Sequence, residues 1–135
     1  MAIYLSGSER ATVEFAKKYA ASLSAGDVVL LQGDLGAGKT VFCKGLALGL
    51  GIKDEIVSPT YAYMNDYSGK LYHYDCYRLS SGAEAEKLGL TDYFGGKGVC
   101  VIEWAENIAE ALDGLETVKV EIRYAGETER EIVIE

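Results

Sequence analysis

One run of eight residues has the composition and spacing to hold a phosphate group. Gly33-Asp34-Leu35-Gly36-Ala37-Gly38-Lys39-Thr40 satisfies the pattern G-x-x-x-x-G-K-[ST]. Glycines let the backbone wrap inward so that successive N–H groups face phosphate oxygens, and a helix starting at Lys39 adds its positive N-terminal end. In that chemistry Lys39 reaches the β and γ phosphates of a nucleotide, and the Thr40 hydroxyl ligates magnesium. The plainer reading is a glycine-rich turn from strand to helix. A dinucleotide fingerprint needs a third glycine at the spacing G-x-G-x-x-G, and nothing after Gly36 and Gly38 supplies it.

A phosphate loop that handles magnesium also needs an acid at the end of a second strand. Glu103, closing the apolar run VCVIE, is the first candidate, with helix capping as its alternative role. Asp75, within His73-Tyr74-Asp75-Cys76-Tyr77-Arg78, is the second, with an ion pair to Arg78 as its alternative. Period-two geometry puts His73, Asp75 and Tyr77 on one face of that strand and Tyr74, Cys76 and Arg78 on the other. Two acids on neighbouring strands near Lys39 would divide magnesium binding from orientation of the attacking water. Thr60 in Ser58-Pro59-Thr60 lies where phosphate-loop switches place a γ-phosphate sensor, or else in an ordinary proline turn. His73 reads as a packed strand histidine beside the tyrosines, and Trp104 as core or as a lid over the site.

These residues need a scaffold. Residues 28–32 (VVLLQ) form an unbroken apolar run, as a central parallel strand buried on both faces requires, and the loop follows at once. Residues 40–50 read as the helix after it, and residues 8–23 as an earlier helix capped by Ser8. A strand is expected over 2–6, two more over 61–67 and 70–78 around a Ser68-Gly69 turn, and a buried one over 99–103. Short helices are expected over 80–88 and 107–112, and a terminal antiparallel hairpin over 118–124 and 130–134. Pro59 makes 52–59 an irregular connection.

The 135 residues suit one domain, and 49% hydrophobic beside 25% charged residues excludes disordered, collagen-like and coiled-coil classes. The net charge is −8, and its placement matters more than its size. Residues 1–60 hold six charges of each sign, so the excess lies wholly in residues 61–135, with ten acids between Glu103 and Glu135. An acidic domain is a poor holder of phosphate backbones, so direct nucleic-acid binding by the chain alone is not expected. The acidic part is either a solvated face or a docking surface for a basic protein. Three well-separated cysteines and one histidine make a zinc site implausible, and no apolar run reaches membrane-span length. A cytoplasmic protein with reduced thiols is the expectation.

Taken together and in order, GDLGAGKT, SPTY, LYHYDCYRL and VIEWAE closely resemble the TsaE family, also called YjeE, over nearly the whole chain. The resemblance implies an α/β, P-loop NTPase-like three-layer fold, with a central parallel sheet, antiparallel edge strands and a C-terminal hairpin. It implies a single P-loop ATPase domain over 1–135 that binds ATP and magnesium and hydrolyses ATP slowly by itself. The family works with TsaB and TsaD, where ATP hydrolysis supports repeated synthesis of threonylcarbamoyladenosine in tRNA. By resemblance Thr40 and Glu103 ligate magnesium, Asp75 aids hydrolysis, Thr60 belongs to the switch, and Ser8, Glu9 and Thr12 lie on the adenine side. Val41 and Tyr61 depart from common family residues without removing a ligand. The competing readings are a small-molecule kinase and an ATP-gated binding module whose hydrolysis is incidental.

Overall fold

Two strands of continuous apolar sequence anchor the fold. In the computed structural model, which describes every residue except Met1, Leu35, Thr60 and Tyr61, β2 (Val28–Gly33) and β5 (Val99–Glu103) pair in parallel at the centre of one sheet. All five residues of β5 are buried, as are the first four of β2. Val29, Leu31 and Val101 point to one core and Val28, Leu30, Cys100 and Ile102 to the other, so each sheet face needs its own cover.

The remaining strands are β1 (Ala2–Ser6), β3 (Met64–Tyr67), β4 (Leu71–Asp75), β6 (Thr117–Tyr124) and β7 (Arg130–Ile134), and the sheet order is β1-β7-β6-β2-β5-β4-β3. The four inner strands β6, β2, β5 and β4 run parallel, while β3, β7 and β1 are antiparallel to their neighbours. Helices α1 (Glu9–Tyr19) and α2 (Lys39–Gly49) cover one face. On the other lie α3 (Gly82–Lys87) and the 3-10 segments Leu90–Tyr93 and Ala105–Leu112. The expected layers, parallel centre and terminal hairpin are all present.

The first helix starts where its sequence directs, with Ser8 Oγ accepting the Ala11 N–H at 3.1 Å. It packs against α2 at close range because α2 carries glycine at the crossing: a Cβ on Gly45 would lie 2.5 Å from the Ala16 Cβ. Ser68 and Gly69 both have positive φ, 60° and 67°, as a two-residue hairpin turn requires.

Several expected boundaries move. The first helix was expected to reach residue 23, but its α-helical turns stop at Tyr19 and tighten into 3-10 form over Ala20–Ser22. β3 starts at Met64 rather than at 61, after Tyr63 takes a φ of +64° that breaks the extended run. β4 stops at Asp75, whose Oδ1 accepts the Tyr77 N–H at 3.0 Å, so Tyr77 and Arg78 lie beyond the strand and off its faces. The segment expected as a helix over 107–112 is a 3-10 segment from Ala105, interrupted by non-helical dihedrals at Ile108. Among the described residues, no helix is long and apolar enough to cross a membrane.

Candidate functional site

The glycine-rich loop leaves the carboxyl end of β2 and enters α2 through backbone conformations that a side chain would resist. Gly36 and Gly38 have φ of +79° and +108°, and Gly38 is the cap residue just before α2. No side chain caps this helix end, so its first N–H groups face the loop. Gly33 is required for a different reason, since a Cβ there would meet the Ile122 carbonyl oxygen at 2.8 Å. Arg130, from β7, donates its Nε–H to the Ala37 carbonyl at 3.0 Å and so ties the loop to the terminal hairpin. Leu35 and Thr60, both singled out in the sequence, lie outside the described residues.

The acids arrive by strand register. In the parallel pair of β4 and β5, Asp75 lies directly opposite Glu103 and His73 opposite Val101. His73, Asp75 and Glu103 therefore share the face that looks toward α2. Glu103 is buried, with Oε1 3.4 Å from Lys39 Nζ and Oε2 2.6 Å from His73 Nε2. Burial pushes the Glu103 carboxyl up, but His73 and Lys39 outweigh it and hold the group below the usual carboxylate range. For His73 burial works against the charged ring, while Cys43 and Glu103 push its pKa up, to about 10. The capping alternative for Glu103 does not hold, because the 3-10 segment Ala105–Leu112 has Trp104 as its cap residue and no side-chain cap. Asp75 is half-buried at the strand end, and the Arg78 guanidinium sits 5.3 Å from the Tyr63 ring centre.

A cleft of about 710 Å³ collects these groups: Gly36, Gly38, Lys39, Thr40, Ser58, Asp75, Glu103 and Trp104 all line it. A second cleft of about 340 Å³ adjoins the same glycines and is walled by Ser8, Glu9, Thr12, Val41 and Arg130. Thr12 is itself buried, and its hydroxyl is hydrogen-bonded to Ser6 at 2.7 Å. A third, polar recess of about 440 Å³ lies past Lys39 and Trp104, beside Asp34, Glu106, Glu121 and Arg123. Trp104 turns out of the sheet with a φ of +58° and stays partly exposed, stacked edge-on against Tyr77 at 4.8 Å. Its ring centre lies 5.8 Å from Lys39 Nζ, so it roofs the cleft and is not part of the core.

The loop, Thr40, Asp75 and Glu103 thus converge as the spacing suggested, and Ser8, Glu9 and Thr12 lie next to the loop. Three participants were missed or undervalued: His73, which was expected to pack with the tyrosines and instead faces away from Tyr72 and Tyr74; the Tyr77–Trp104 pair; and the Arg130 tether. For His73 a signal was present, since it lies two residues before Asp75 and therefore on the same face. In the main cleft the described polar side chains other than Lys39 and Trp104 all carry oxygen, at Thr40, Ser58, Asp75, Tyr77 and Glu103, which is chemistry for a phosphate with a hard cation.

Comparison with known proteins bears out the family resemblance. The family model described as "Threonylcarbamoyl adenosine biosynthesis protein TsaE" matches residues 6–132. The tRNA threonylcarbamoyladenosine biosynthesis protein TsaE of Bacillus subtilis is 48% identical over 124 residues, covering 90% of this chain and 77% of the relative. The protein of the same description from Treponema pallidum is 48% identical over 114 residues, covering 83% of this chain and 84% of that one. The crystal structure of Bacillus subtilis YdiB superposes with a TM-score of 0.80 at 41% identity, over 98% of this chain and 83% of the other. A match that runs from the first strand to the last, in sequence and in fold alike, places this chain in the TsaE family.

Proposed function

We propose that this chain is a magnesium-dependent P-loop ATPase, slow by itself, that supports the formation of threonylcarbamoyladenosine in tRNA together with TsaB and TsaD family proteins. The observation that carries the reading is the convergence of Lys39, Thr40, Asp75 and Glu103 on one cleft at the mouth of the glycine-rich loop. Family membership and the names of its relatives supply the tRNA context.

The donor set fits magnesium brought in by a nucleotide. Among the described residues, no group of three or more His, Cys, Asp or Glu side chains forms a dedicated metal site. Magnesium bound with phosphates keeps several waters and takes only one or two protein oxygens, which Thr40 and Glu103 would provide. When bound, magnesium neutralises charge developing on the β and γ phosphate oxygens. The chain's own residues do the rest. Backbone N–H groups at the start of α2 and the Lys39 ammonium hold the phosphates, and Trp104 with Tyr77 limits water at the Lys39 side of the cleft. Asp75, directly across from Glu103, orients the attacking water.

The test is ATP hydrolysis by the purified chain, alone and with its TsaB and TsaD counterparts, for the natural sequence and for Glu103→Gln. The natural chain should turn over slowly alone and faster in the mixture. Glu103→Gln should still bind ATP but lose turnover by about 100-fold or more, the scale of removing one group that stabilises transition-state charge. If tRNA modification continues at the natural rate with Glu103→Gln, nucleotide occupancy suffices and the chain acts as an ATP-gated module. Equal, negligible hydrolysis in every mixture would overturn the ATPase reading.

A further inference from the structure

His73 is the chain's one histidine and is wholly buried in β4. A buried imidazole ordinarily satisfies both ring nitrogens. Here Nε2 lies 2.6 Å from Glu103 Oε2 and 3.7 Å from Cys43 Sγ, whereas Nδ1 has no hydrogen-bond partner among the described residues. An unmet buried polar atom is costly, and a leucine would fill the same space without that cost. Packing therefore does not explain the residue. An ionised carboxylate only accepts, so Nε2 carries the proton that it donates to Glu103.

The two oxygens of Glu103 face different neighbours. Oε2 is held on the protein side by His73, and Oε1 lies 3.4 Å from Lys39 on the cleft side. A glutamate's last torsion is broad, so an unanchored carboxylate turns freely about it. Anchoring one oxygen fixes the plane and aims the other. Cys43, one turn into α2 beyond Thr40, backs the imidazole, so the anchor joins β4, β5 and the helix that begins at the loop.

We propose that His73 is a positioning residue for Glu103: its Nε2–H pins Oε2, so that Oε1 alone is presented to Lys39 and to the magnesium-bound nucleotide in the cleft. This rests on the reading of Glu103 as the acid that serves magnesium and ATP. Partners of this kind around a metal-site ligand are commonly worth about 10- to 100-fold in affinity or activity.

Two substitutions separate positioning from packing. His73→Leu keeps the volume and removes the donor, and His73→Gln restores an N–H near the place of Nε2. Melting temperature, ATP affinity, and hydrolysis across a magnesium titration are measured for each in the full chain. The His73 ring proton is followed by nitrogen-edited NMR in the natural chain and in Glu103→Gln. His73→Leu should bind ATP within about threefold of the natural chain, turn over about tenfold or more slowly, and need more magnesium for half-maximal rate, while His73→Gln recovers most of the turnover. In the natural chain the ring proton should resonate far downfield and shift on Glu103→Gln. Turnover by folded His73→Leu at the natural rate, equal slowing by Leu and Gln, or a ring proton indifferent to Glu103→Gln would overturn the proposal. A natural chain that hydrolyses no ATP overturns the ATPase reading instead, and the ring proton still decides whether His73 holds Glu103.

Discussion

Arg130 shows how much a single side chain does once the fold has placed it. Its Nε–H holds the Ala37 carbonyl at 3.0 Å, its Nη1 donates to the carbonyls of Gly126, Glu127 and Glu129, and it stacks 4.5 Å from the Tyr124 ring centre. The glycine-rich loop is thereby tied to the far hairpin. Arg130→Ala should weaken ATP binding by about tenfold, the equivalent of about 1.4 kcal/mol, as for a typical charged hydrogen bond. Turnover at saturating ATP should stay within about twofold, since the side chain holds the loop and not the acids. Titration of ATP and a saturation curve check both, and an unchanged affinity would refute the tether. In the sequence Arg130 was only a residue of the last strand, because nothing local couples position 130 to position 37.

At the scale of elements, the contact between α1 and α2 depends on an absence of side chain. Ala is normally about 1 kcal/mol better than Gly inside a helix, so propensity alone predicts that Gly45→Ala stabilises. Geometry predicts the reverse. The added Cβ would sit 2.5 Å from the Ala16 Cβ and press on the Val13 carbonyl, and forced overpacking costs about 1–3 kcal/mol, more where backbone must move. Gly45→Ala should therefore lower the melting temperature by about 4–8 °C, whereas Leu48→Ala, an exposed position on the same helix, should change it by about 2 °C or less. Calorimetry of both variants is the check, and a rise for Gly45→Ala would contradict the packing account. Strand types and their order along the chain were legible from apolar runs and period two. Strand ends were not: Asp75 closes β4 by capturing the Tyr77 N–H, which competes with the apolar pattern that continues past it.

The whole molecule buries all three cysteines, and this has a consequence for its response to pH. Burial, aided by nearby acids at Cys76, pushes the Cys76 thiol up to about 12, and burial pushes Cys100 up to about 11, each from 9.0. Above pH 9 the unfolded chain gives up these protons while the folded chain keeps them, so the folded state is the one that binds more protons. Stability therefore falls as pH rises through this window. The melting temperature should fall gently from pH 7 to about 8.5, where His73 keeps a proton that the unfolded chain has lost, and more steeply toward pH 10.5, and Cys76→Ala with Cys100→Ala should lessen the steeper part. A melting curve independent of pH over this range would rule the effect out. At the same scale the charge is divided: the neutral first 60 residues carry the loop, and the acidic excess lies after it, with Glu121 and Glu131 of the terminal hairpin paired to Arg123 on the surface.

By itself the sequence determined the loop, the buried central strands, the two strand-end acids and the resemblance to one family, because these are local patterns: glycine spacing, apolar runs, and an acid closing a strand. Only the tertiary structure decided which of these groups meet. The parallel register of β4 and β5 set Asp75 opposite Glu103 and brought His73 onto Glu103, and the return of the last strand carried Arg130 to the loop. Register and strand order are settled by packing between segments far apart in the chain, which no local pattern encodes.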